Sequence, residues 1–131
     1  MKFTVSKTEI VKALSSTLGV VEKRQALPIL SNVLLKVEDN NISITATDLE
    51  SEVQTLCTPA SVDSTGSTTA PAKKLNELCR LLPDGSEIYI FLNVDKLSVD
   101  SGSGKYSIST LTSEDFPVFD VLLENTEFTS L

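Results

Sequence analysis

Asp48, Glu50 and Glu52 are the residues of this chain best spaced for catalysis. Two apart along a single strand, three carboxylates would line one face and could hold a magnesium ion for attack on a phosphodiester, as in a nuclease-like enzyme. The same spacing also suits a polar strand exterior or a turn. Glu114 and Asp115 are adjacent rather than facing, and stand before Phe116 and Pro117 in a connection. Histidine is absent from the 131 residues. That removes the usual general base, the usual zinc ligand and the imidazole of a nucleophilic triad. Cys57 and Cys79 lack the spacing of a metal knuckle and are too few for a disulfide framework, so they read as reduced thiols in a cytosolic core. The expectation is therefore no catalytic residue, no metal and no cofactor, with the carboxylate site as the enzymatic rival.

The elements that would position these groups follow from the apolar pattern. Residues 1 to 6 alternate, and Ser6 with Glu9 three positions on forms a capping box. Ile10, Val11, Leu14 and Leu18 then recur at helical spacing, and Gly19 is a natural stop. A loop from Val20 to Leu27 carries Lys23, Arg24 and Gln25. Strands are predicted near 29–38, 41–48 and 52–58, the first pair joined by a turn at Asp39, Asn40 and Asn41. Ser61 to Ser67 reads as a polar spacer. After it come a short strand at Thr68, Thr69 and Ala70, and a helix opening at Pro71 with Leu75, Leu78, Cys79 and Leu82 as its stripe. A turn at Pro83 to Ser86 follows, then strands near 87–93, 96–100 and 104–111.

The order is β-α-β-β-β written twice. This predicts an α+β domain of two βαβββ halves with pseudo-twofold symmetry, its two amphipathic helices packed on antiparallel sheets. Glu127, Phe128, Thr129, Ser130 and Leu131 echo the first strand, so the domain is expected over 1–126, with 127–131 starting a second copy. No run is long and apolar enough for a membrane span, and the first residues lack the apolar stretch of a signal peptide. A cytoplasmic protein without a membrane partner is expected.

Charge is divided between the element types. Residues 6–24 and 72–80, which hold the helices and the loop after the first, carry a net +4 through Lys7, Lys12, Lys23, Arg24, Lys73, Lys74 and Arg80; the remainder carries −11 within a total of −7. Basic helices on acidic sheets suit sequence-independent contact with a phosphate backbone. The plainer reading is that these cations are the helices' solvated faces. No aromatic residue interleaves them, so duplex backbone contact fits better than stacking on a single strand. A further alternative is a protein-interaction module that uses its exposed edge strand.

Five segments resemble, in order and spacing, the N-terminal domain of bacterial DNA polymerase III beta subunits, the sliding clamps. They are Met1 to Val5, Leu27 to Asn32, Thr45 to Glu50, Pro71 to Leu75 and Asp115 to Pro117. The resemblance implies a DNA-clamp fold and a replication processivity factor without catalysis of its own. It implies a head-to-tail homodimeric ring, three such domains per subunit, helices lining the channel that encircles double-stranded DNA. It places Arg24 and Lys73 against the DNA backbone; helical position adds Lys12 and Arg80. Lysine at 73, where many relatives have arginine, keeps the charge but lacks the bidentate fork. The strand with Lys105, Tyr106 and Ile108 resembles the edge that meets the second subunit, with Lys74 and Lys105 facing acidic partners. The replicative polymerase and the clamp loader would bind domains absent from these 131 residues.

Overall fold

The computed structural model describes residues 1–21, 28–102 and 104–117. Strand β1 (Lys2–Ser6) alternates so that Phe3 and Val5 are buried, and it runs straight into helix α1 (Lys7–Val21). Ser6 Oγ accepts the Glu9 amide at 3.2 Å, the forward half of the expected capping box. The return half is missing, because the Glu9 carboxylate accepts instead from the Thr58 amide at 3.3 Å. The helix passes through Gly19 rather than stopping there. Its buried face is Ile10, Ala13, Leu14, Thr17 and Val21, and burial of Val21 secures the last turn.

The expected strand at 29–38 opens as a 3-10 turn over Pro28–Ser31, where a proline without an N–H can donate nothing to a ladder. Strands β2 (Asn32–Glu38), β3 (Asn41–Thr47) and β4 (Glu52–Cys57) follow. Asp39 and Asn40, at φ of 51° and 67°, form a two-residue hairpin loop of the kind that positive φ at both positions defines. The polar spacer is a correction to the sequence reading. Ser61–Ser64 is strand β5, and strand β6 spans Gly66–Pro71. Helix α2 (Ala72–Leu81) and strands β7 (Glu87–Asn93), β8 (Lys96–Asp100) and β9 (Lys105–Ser109) complete the described chain.

Pairing shows how the two halves combine. One sheet has the order β5-β1-β7-β8-β9 and the other β4-β3-β2-β6, with every pairing antiparallel. The halves β1-α1-β2-β3-β4 and β6-α2-β7-β8-β9 thus exchange their first strands: β1 lies on β7, and β6 lies on β2. A reciprocal exchange of this kind is a twofold relation, and the inserted β5 on the outside of β1 is the departure from it. α1 packs on β3, β4 and α2. Both helices bury into one core that holds Phe3, Ile10, Leu14, Leu35, Ile42, Ile44, Leu75, Ile88, Ile90 and Leu97. Residues 127–131 and the domain end at 126 lie outside the described residues. No helix among the described residues is long and apolar enough to cross a membrane.

Candidate functional site

The amphipathic pattern that buries one side of each helix leaves cations on the other. On α1, Lys12, Ser15 and Ser16 are exposed. On α2, Lys73, Glu77 and Arg80 recur at i, i+4 and i+7 and are exposed, while Ala72, Leu75, Asn76 and Cys79 face inward. The two helices meet through the Arg80 guanidinium, whose Nη2 donates to Ser15 Oγ at 3.2 Å. Three predicted contacts, Lys12, Lys73 and Arg80, therefore stand on the solvent side of one helical layer. Arg24 lies outside the described residues.

The electrostatics at the start of α2 run against its stability. Lys73 and Lys74 occupy its first turn, which holds no acidic residue, and its N-cap Pro71 provides no side-chain hydrogen bond. Cations at the positive end of a helix dipole are unfavourable. Positive potential is consequently concentrated at that end.

Lys7, counted among the basic helical residues, has a different task. Its Nζ donates to the carbonyls of Arg80 at 3.1 Å and Leu82 at 2.7 Å, and pairs with Asp84 Oδ1 at 2.8 Å. It caps the C-terminus of α2, where a cation is favoured. The Lys7 ammonium holds the Asp84 carboxyl below the usual aspartate range.

The predicted edge residues come together. Lys74 and Leu78 of α2 and Lys105, Tyr106 and Ile108 of β9 line a groove of about 610 Å³ with Pro71, Ser107 and Ser109. β9 is the last strand of its sheet. Tyr106 and Ile108 share a face, as their spacing requires, but only Tyr106 is open to solvent, at 40% against 5%. Ile108 pairs across from Leu97 and joins the core, so its side chain is not part of the exposed edge.

The carboxylate triad does not form. Asp48 and Glu50 lie in a turn rather than on the strand of Glu52. Asp48 Oδ1 accepts from the amides of Glu50 and Ser51 at 3.0 and 2.8 Å, which closes that turn with Leu49 at φ 78°. Among the described residues no three Asp, Glu or Cys side chains gather as a metal site. Glu114 and Asp115 are exposed in a 3-10 turn capped by Thr112. Cys57 and Cys79 are buried free thiols, pushed up to about 12 by burial.

Residues 1–120 match the family described as DNA polymerase III beta subunit, N-terminal domain. The beta sliding clamp of Salmonella typhimurium is 43% identical over 129 residues, 98% of this chain and 35% of that protein. That of Escherichia coli K12 is 41% identical with the same coverage, and that of Vibrio cholerae 44% identical over 89% of this chain and 32% of its own length. Among solved structures, the DNA polymerase III subunit beta of Pseudomonas aeruginosa aligns with TM-score 0.85 at 39% identity, and the Caulobacter crescentus pol III beta with 0.86 at 37%; each alignment covers 90% of this chain and 32% of the other. The chain spans about a third of the length of these relatives.

Proposed function

This chain belongs to the DNA polymerase III beta subunit family, as its N-terminal domain, and we propose that it serves as one domain of a ring that encircles duplex DNA. The ring is a non-catalytic processivity factor of the cytoplasm: it tethers the replicative polymerase by topology, not by sequence recognition. The observation that carries this reading is the placement of Lys12, Lys73 and Arg80 on the exposed side of the helical layer, in a chain most of whose carboxylates stand outside the helices. A layer of that kind accepts phosphates through sequence-independent contacts. Arg24, among the residues that follow α1 in sequence, adds a fourth contact. The groove beside β9 supports a second role, in which Lys74, Lys105 and Tyr106 meet another subunit while the β9 backbone extends that subunit's sheet.

Salt dependence tests the DNA role. Two to four contacts, each worth about 0.9 in the slope of log K against log salt, give weak binding and a shallow slope for duplex of any sequence. Arg24→Ala and Lys73→Ala should each lower the slope by roughly one. Unchanged binding and slope in both variants would remove these residues from the interface, whereas metal-dependent cleavage of the duplex would revive the enzymatic rival.

A further inference from the structure

We propose that Ser15 is a positioning residue that presets Arg80 as a seat for one DNA backbone phosphate between the two helices, an inference that rests on the DNA reading above. α1 grips Arg80 at two points. Lys7 Nζ donates to its main-chain carbonyl at 3.1 Å, and Ser15 Oγ accepts from its Nη2 at 3.2 Å. No such tether holds the ammonium groups of Lys12 and Lys73 among the described residues. Ser15 is also unlike the serine beside it: Ser16 turns its hydroxyl back onto the Lys12 carbonyl at 3.1 Å, as helical serines commonly do. Ser15 gives its hydroxyl oxygen to the arginine instead.

The chemistry of the pair suits a phosphate. A guanidinium has five N–H donors in one plane, so four remain after Ser15 is satisfied. The Ser15 hydroxyl, having accepted, still has its own proton to donate. A phosphate oxygen beside the pair can therefore accept from both helices at once. The long arginine side chain is already restrained, so binding a phosphate orders less of it than it would order a free arginine.

The test is duplex titration of the 131-residue chain at low salt, with affinity and salt slope both measured. Ser15→Ala should weaken binding about threefold, the effect of losing one net hydrogen bond, and leave the slope unchanged because no cation is removed. Ser15→Thr should restore affinity. Arg80→Ala should lower the slope by about 0.9, and adding Ser15→Ala to it should cost less than Ser15→Ala alone, because only the hydroxyl's own bond to phosphate is then left to lose. Equal losses from Ser15→Ala in both backgrounds, or no loss in either, would overturn the positioning role. An unchanged affinity and slope for Arg80→Ala would remove Arg80 from the interface and this inference with it, while Lys73→Ala still decides the broader DNA reading.

Discussion

Replacing Lys7 by methionine keeps the apolar stem and removes only the ammonium that caps α2. Two carbonyls lose a charged donor: Leu82, at 2.7 Å and partly buried, and Arg80, at 3.1 Å and exposed. Charge-assisted bonds of this kind are worth about 1 to 1.5 kcal/mol where partly buried and about half that at the surface, and the helix dipole adds roughly 0.5 kcal/mol. The loss should therefore be about 2 kcal/mol. For a domain of this size that is about 7 °C in Tm. The ionic arm to Asp84 adds little, since the lysine side chain is 15% exposed but the aspartate is fully exposed. Urea unfolding of Lys7→Met against Asp84→Asn separates the two contributions. Lys7→Met should lower the midpoint with m unchanged, and Asp84→Asn should barely move it. A loss below about 0.5 kcal/mol for Lys7→Met, or an equal loss for Asp84→Asn, would show that the carbonyl cap does not stabilise α2 as reasoned from burial and distance.

Asn76 is buried on α2 with its Oδ1 unpaired, so Asn76→Leu should raise stability by about 1 kcal/mol in the same assay, and a lower midpoint would mean that the site cannot hold the larger side chain. Cys57 and Cys79 keep their protons in the fold to about 12, whereas unfolded thiols release theirs near ~8.5. The folded state then binds more protons than the unfolded one, so this stabilisation is complete below ~8.5 and is lost as pH rises from there towards 12. Cys57→Ala/Cys79→Ala should flatten the alkaline decline, and an equally steep decline in that variant would assign it to other groups. The chain should be monomeric when dilute and self-associate through β9 when concentrated. Tyr106→Glu should suppress that association in light scattering without unfolding the domain, and unchanged association would place the sticky surface elsewhere.

The doubled βαβββ order was legible because each half has a helical stripe between β-prone runs, and because Asp39 and Asn40 tolerate the positive φ that their hairpin needs. β5 was not legible. Ser61, Val62, Asp63 and Ser64 offer one half-buried apolar side chain and no alternation, so only its partner β1 identifies it as a strand. The capping task of Lys7 was not legible for a related reason. A lysine in the first turn of a helix resembles any solvated cation, and its acceptors lie 73 to 77 positions away in sequence. The period of two correctly put Tyr106 and Ile108 on one face, but which of them is covered depends on packing between elements, which no local pattern contains. Asp48 had the composition of a ligand; the turn that engages its carboxylate became visible only with the backbone in place.

The strand exchange sets a timetable for synthesis. β1 leaves the ribosome well before its central neighbour β7, on which Phe3 lies opposite Ile90 and Lys2 opposite Phe91. At about 5 to 20 residues per second, the nascent chain carries Phe3 and Val5 without that cover for roughly 5 to 15 seconds. β2, β3 and β4 need only adjacent hairpins and can assemble as they emerge, but their sheet also waits for β6. Neither sheet is complete until the other half has arrived, so the last cooperative step of folding joins the two halves in both sheets. Over that interval the exposed hydrophobic segment is the N-terminal one, and a holdase chaperone acting on the growing chain would find its target in residues 3 to 14, where Phe3, Val5, Ile10 and Leu14 later become core.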